Sequence, residues 1–339
     1  MMAPALMSQS TTQTAVSRRL SGSSRRLDPV AAGLVLGFLA DRAFGDPRRG
    51  HPVAGFGQLA AALEQRIHAP SRTRGAVGVG MLVASAAGLG LLERRFPTAA
   101  RVAVTAAATW AVVGGRSLER EGEAIDDLLT ADDVAGARQR IRNLVGRDPS
   151  ALDADEIARA CVESLAENSA DAVVAPLFWG AVAGVPGLVG YRAINTLDAM
   201  WGHRNERYRE FGWAAARLDD VANWIPARLT VALNAALAGQ TDRHRASAVI
   251  DTVRRDAPAH PSPNAGPVEA SWAAALGVRL GGTNHYDGVD EDRGHLGDGP
   301  PVTVNDIART TKHLRRLSVA ALVTLATARL LTRSRHSAR

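Results

Sequence analysis

VESLAENSAD, residues Val162–Asp171, runs directly into AVVAPLFWGAVAGVPGLVGY, residues Ala172–Tyr191, twenty positions without a charge. A helix that starts before the apolar run puts Glu163, Glu167 and Asp171 at i, i+4 and i+8, on one face. Like charges at that spacing repel by ~0.2–0.5 kcal/mol per pair, and burial near a membrane raises the cost. A cationic ligand would offset the repulsion; an exposed acidic stripe would tolerate it. The uncharged run matches the ~20 residues a helix needs to cross a bilayer core. Pro176 and Pro186 inside it predict a broken or re-entrant segment rather than a plain lipid-facing helix.

Other apolar runs extend the pattern. Gly75–Leu92 is eighteen residues without a charge and Val102–Gly115 fourteen, while Leu317–Leu331 is interrupted by Arg329. The mean hydropathy of −0.06, with 22% charged and 46% hydrophobic residues, is a soluble-protein average that conceals this clustering. Buried Ala/Gly-rich core helices would give similar runs, but their lengths favour an all-α, polytopic integral membrane protein with amphipathic helices and polar loops forming the site. The expected membrane segments are 29–44, 75–92, 99–115, 172–191, 229–239 and 317–331, within one helical domain over 29–335. Residues 1–28, rich in Ser, Thr, Gln and Arg, read as a disordered basic tail. Its SRRLSGSSRR resembles an export signal, yet Asp41 and Asp46 follow at once, which favours an uncleaved first segment. Leu118–Arg142 has the spacing of an amphipathic helix pair, and Ser150 or Asp153 can cap the helix that follows. Residues 283–306 read as a Gly/Asp-rich solvated loop.

Nearly all positive charge is arginine, Lys312 being the one lysine. The arginines are scattered beside apolar runs, which suits interfacial anchoring and anionic ligands better than nucleic acid. The single cysteine, Cys161, excludes an internal disulfide and a cysteine zinc cluster. No GxxxxGK[ST], HExxH or GxSxG occurs, against P-loop ATPases, zincins and α/β-hydrolases.

Asp219, Asp220 and Asn223 form DDxxN, an oxygen-donor set suited to magnesium carrying a substrate phosphate; a solvated face pairing with Arg217 and Arg228 explains it about as well. Arg192, Asn195 and Asp198 follow the long apolar segment, where Arg192 offers a donor fork for phosphate and Asp198 a metal ligand. A hydrogen-bond network at the membrane edge is the other reading. Asn168 lies beside the acidic stripe. His51, in DRAFGDPRRGHP, is a base or a turn residue. Arg147 in GRD and Asn264 in SPNAG sit in candidate ligand loops, each nonspecific by itself.

Taken in order, DRAFGDPRRGHPVAGFGQL, NLVGRDPSALDADEIARACVESLAENSADAVVAPLFW, GVPGLVGYRAINTLDAMWGHRNERYREFGWAAARLDDVANWIPARL and SPNAGPVEASWAAALGVRLGG resemble the CobD/CbiB family of cobalamin-biosynthesis membrane proteins, over about residues 41–282. The resemblance implies an ATP-dependent amide ligase that joins (R)-1-amino-2-propanol or its O-phosphate to the remaining propionate of adenosylcobyric acid, giving adenosylcobinamide or its phosphate. It implies a corrinoid, an aminopropanol, ATP with Mg2+, membrane lipid and other pathway enzymes as partners. No nucleic acid and no tightly bound organic cofactor are expected, and the place is the inner membrane with a cytoplasm-facing site. Within that reading Glu163, Glu167 and His51 are candidate bases. Asp171, Asp198, Asp219 and Asp220 would meet the metal, and the arginines and asparagines the phosphates. A magnesium-dependent membrane phospho- or prenyl-type transferase and a non-enzymatic scaffold are the rival readings.

Overall fold

A computed structural model of the chain describes residues 27–46, 50–146, 148–203, 205–286 and 289–337. Asp28 caps the first helix, α1 (Pro29–Phe44), its carboxylate accepting from the Val30 and Ala31 amides, and Pro29 fits the first turn. α1 lies against α4 (Thr98–Val112) along Gly33 and Gly37. A Cβ at either glycine would stand 2.4 Å from an α4 atom, so only glycine admits this approach of backbones. Between them in sequence come α2 (Pro52–Ile67) and α3 (Arg72–Leu91). The amphipathic pair follows as α5 (Gly115–Thr130) and α6 (Val134–Ile141), as its spacing predicts.

α7 (Ala154–Ser169) begins with a full capping box between Asp153 and Glu156. Ile157, Ala158, Ala160–Ala166 and Ser169 are buried, which places α7 inside the core with Leu34, Ile125, Leu177, Trp272 and Leu314 around it. The expected span 172–191 is not one helix. It passes through a π-helical turn (Ala170–Val174) into α8 (Ala175–Ala183) and breaks at Gly184, whose φ of +72° favours glycine. The chain then resumes as α9 (Val185–Trp201), with Pro186 in its first turn. α10 (Trp213–Gly239) and α12 (Ala265–Leu276) complete the wall around the site, α11 (Arg243–Asp256) packs on both, and α13 (Asn305–Ser337) returns along α1, α5 and α7.

One expectation is corrected. The solvated loop over 283–306 is in large part an antiparallel hairpin, β1 (Leu280–Tyr286) with β2 (Val289–Leu296), bulged between Gly281 and Thr283. Its glycines and aspartates hide the strands because no apolar alternation marks them; ladder pairing satisfies the backbone instead. Leu296 and Val302 are buried, so this segment also reaches the core.

Among the described residues, Arg72–Arg95 is the one helix long and apolar enough to cross a membrane by length and composition, and only 28% of its apolar window is buried. The other expected spans lie in helices that are shorter or more polar. Exposed apolar side chains nevertheless line several neighbouring helices: Leu36 and Leu39 on α1, Val77 and Met81 on α3, Val319 and Val323 on α13. Two layers of ion pairs bracket them. In one, Asp28 meets Arg329 and Arg333, each at 3.2 Å, and Glu93 meets Arg101 at 2.7 Å. In the other, the fully buried Glu119 meets Arg42, Arg116 (3.4 Å) and Arg315 (3.2 Å). Arg315 and Arg329 are separated by about 21 Å of helix.

Candidate active site

Pro226 lies inside α10. Without an amide hydrogen it leaves the Ala222 carbonyl one turn earlier short of its helical donor. The indole of Trp179, on α8, donates to that carbonyl at 3.0 Å and so ties α8 to the turn that carries Asp219, Asp220 and Asn223. Asn223 is buried and donates to Asp219 Oδ2 at 2.9 Å, while its own oxygen stands 2.9 Å from the Tyr191 hydroxyl. The Asn195 amide reaches both Asp171 and Asp219 at 3.5 Å. Four elements thus set two aspartates side by side: the π-helical turn, α8, α9 and α10.

These carboxylates face a cavity of ≈ 540 Å³ lined also by Glu167, Asp198, Asp220, Arg217, His260, Ser262 and Asn264. Burial first, then the charges of Asp219, Glu167 and Asp198, hold the Asp171 carboxyl well above the usual carboxylate range. Burial and the charges of Asp219, Asp220 and Glu167 push Asp198 up to about 7. Burial also raises Asp219, against the opposing hydrogen bonds from Asn223 and Asn195. Asp171, Asp198 and Asp219 form no ion pair among the described residues, and Arg217 at the exposed rim is 3.6 Å from Asp220. Among the described residues, against Glu167, Asp171, Asp198, Asp219 and Asp220 stand only Arg217 in the lining and the charge of Arg192, which acts on Asp171 from outside it, so acid outweighs base in the chamber.

The carboxylate and amide oxygens that dominate its lining suit a hard cation such as magnesium. Among the described residues no three acidic, imidazole or thiol groups form a ready-made metal cluster. A metal that arrives with phosphate ligands of its own needs only one or two protein carboxylates, and such carboxylates are present here.

The expected residues divide. Glu167, Asp171, Asp198, Asp219, Asp220, Asn223, Arg217 and Asn264 line the chamber, and Asn195 braces it. Arg228 donates to Asn264 Oδ1 at 2.8 Å and lies over the Trp224 ring, holding the 262–266 loop. Asn264 in turn donates to the Asp220 carbonyl at 2.8 Å. Glu163 faces elsewhere: its carboxylate accepts from the Gly281 amide at 2.9 Å and is 3.4 Å from Arg159, anchoring the hairpin. Asn168 donates to the Ser164 carbonyl. His51 caps α2, its Nδ1 accepting from the Val53 amide, and does not line the chamber. Arg192 donates to Asn195 and lines a different cavity. Arg147 lies outside the described residues.

Sequence reasoning missed Tyr191, Trp179, His260 and Glu269. The His260 Nδ1 accepts from the Ser262 amide at 3.1 Å, which directs a protonated Nε2 toward Glu269, 3.6 Å away and buried beneath the loop. Nothing in the spacing of His260 and Glu269 pairs them, because the contact joins a loop to the helix behind it. The prolines around Ser262 mark a rigid loop and were its one legible signal.

Comparison with known proteins agrees over most of the chain. The family described as CobD/Cbib protein matches residues 34–314. The chain is 50% identical over 297 residues to the cobalamin biosynthesis protein CobD of Mycobacterium tuberculosis (strain ATCC 25618 / H37Rv), covering 86% of this chain and 94% of the relative. It is 45% identical to the protein of that name from Rhodobacter capsulatus, covering 84% and 93%. It is 43% identical to the one from Chromobacterium violaceum, covering 86% and 96%. No solved structure matches it.

Proposed function

Because the chain belongs to the CobD/CbiB family, we propose that it acts in cobalamin biosynthesis as an amide ligase whose active centre is the acidic chamber. The reaction joins the remaining propionate of adenosylcobyric acid to (R)-1-amino-2-propanol or its O-phosphate, with ATP as energy source. A carboxylate is a poor acyl donor. Its oxygen would attack the γ-phosphorus of ATP, releasing ADP and leaving an acyl phosphate. The amine nitrogen then attacks the acyl carbon, expels phosphate and gives up a proton.

The observation that carries this reading is the shortage of positive charge beside Asp171, Asp198 and Asp219. A protonated amine and a metal-bound triphosphate are both cationic at the end presented to such a wall. Asp171 and Asp219, with Asp198 and Asp220 beside them, would hold magnesium, which neutralises charge on the transferring phosphoryl group. Arg217 at the rim and Asn264 on its loop are placed for phosphate oxygens. Glu167, the one expected base that lines the chamber, takes the amine proton.

The exposed aliphatic belt between the two ion-pair layers supports a multi-pass place in the inner membrane. About 21 Å separates the layers, and guanidinium stems reaching outward bring the apolar thickness toward the ~30 Å of a bilayer core. Asp171 sits at the Glu119 end: the Ala172 carbonyl accepts from the Gly114 amide, next to Gly115, the first residue of Glu119's own helix. The chamber therefore opens at one membrane face, the cytoplasmic one, where ATP is supplied.

Reconstitution tests the function. Detergent-purified protein, adenosylcobyric acid, aminopropanol phosphate and Mg-ATP should yield the amide mass and stoichiometric ADP. Corrinoid binding without product would make the protein a scaffold. Product formed only from a lipid diphosphate would make it a transferase.

A further inference from the structure

A second cavity, ≈ 590 Å³, lies between α2, α3, α4 and α9. It falls within the ~300–1,000 Å³ of small-ligand sites, but its wall is almost wholly aliphatic. Leu82, Val104 and Val189 line it, and it opens at Leu59 and Leu89, which are 57% and 70% exposed and continue the apolar belt. It follows α9 from Val185 to Thr196, about 16 Å of helix. Val185 follows Gly184, which abuts Val30 and lies near Glu93, so that end lies at the layer of Asp28 and Glu93.

At the other end stands Arg192, the one charged residue of the lining. Its Nη1 donates to Asn195 and its charge acts on Asp171 beyond ion-pair distance, but its buried Nε has no hydrogen-bond partner among the described residues. A buried donor left in that state is costly. The Thr196 hydroxyl beside it is already committed to the Arg192 carbonyl at 2.7 Å. A narrow apolar channel with a single guanidinium at one end, its Nε unpaired, matches an amphiphile with one anionic head. A corrin with its ring of amides would find too few polar partners here.

We propose that this groove holds one acyl chain of an anionic membrane phospholipid, with the lipid phosphate paired to Arg192. The inference rests on the membrane placement above, and not on the ligase chemistry. Arg192 also bonds to Asn195, which touches Asp171 and Asp219, so the bound head group would brace the edge of the acidic chamber.

The test uses full-length protein in vesicles of equal parts phosphatidylcholine and phosphatidylglycerol, followed by extraction into neutral detergent and native mass spectrometry. Phosphatidylglycerol should remain bound with about tenfold preference. Arg192→Gln should abolish that preference. Ala107→Trp, at an exposed α4 position on the groove wall, should expel the chain without unfolding the protein. Equal retention of both lipids would overturn the proposal, as would retention unchanged by either variant, or a second copy of the chain cross-linked into the groove. Failure of the wild-type protein to float with the vesicles would instead refute the membrane placement, and the groove proposal with it.

Discussion

Two regions of this molecule bury several charges each, and they treat them in opposite ways. Around Glu119 three guanidiniums, from Arg42, Arg116 and Arg315, enclose a carboxylate with no exposure at all, and Arg116 and Arg315 also reach Glu123. That cluster ties α1, α5 and α13 together, and each of its three guanidiniums meets a carboxylate. In the chamber, Asp171, Asp198 and Asp219 stand together without an ion pair among the described residues, braced by neutral amides and a phenol. Compensated charge is architecture. Carboxylates kept close without a counter-ion are unfavourable until something cationic arrives, and such arrangements mark functional sites.

The contrast can be broken by substitution. Asp219→Asn should lower amide formation by about 10²–10³-fold while leaving the thermal midpoint unchanged or raised; a simultaneous loss of fold would place Asp219 with the architecture instead. Glu119→Gln should do the reverse. It takes the ion-pair partner from the part-buried Arg42 and leaves Arg116 and Arg315 with Glu123 alone, and should destabilise the protein by about 3 kcal/mol, with activity per folded molecule preserved. Denaturant titration beside the assay separates the two. Trp179→Phe removes the donor to the Ala222 carbonyl and should cost about 1–3 kcal/mol, with a smaller loss of activity because the α10 turn shifts.

The smallest effects lie in pH. Asp198 is raised to about 7, so its favourable contribution is complete below the unfolded value near 4 and is lost as pH rises through 7. Asp198→Asn should therefore raise the midpoint at pH 8 by about 2–4 °C in magnesium-free buffer, and by nothing at pH 4. His313, buried against Trp272 and bonded to Asn234, is lowered by burial to about 4 and runs the other way. Its contribution is present above 6.5 and disappears as pH falls through 4, so His313→Asn should flatten the acid limb. Differential scanning fluorimetry across pH shows whether the two slopes are opposed.

Much of this was readable in the chain. The stripe Glu163–Glu167–Asp171 and the DDxxN group both pointed at a chamber, and all but Glu163 reach it. Glu163 is diverted because the hairpin, invisible to any periodicity, folds back onto α7 and presents the Gly281 amide to it. The apolar run after Asp171 was legible as broken from its prolines, but the place of the break depends on Gly184 and its positive φ. His51 and Asn168 were credited with chemistry for their type and neighbourhood; in the fold neither lines the chamber, and each makes a local hydrogen bond instead. His260 with Glu269 could not be found, since only tertiary packing brings them within 3.6 Å.

The most direct test of the central claim is electron paramagnetic resonance of Mn2+ titrated into the protein with and without ATP. A protein-bound manganese signal that requires the nucleotide, disappears in Asp219→Asn and persists in Glu119→Gln is the expected result. A signal indifferent to Asp219, or one lost equally in both variants, would contradict the assignment of the acidic chamber as the metal–phosphate site.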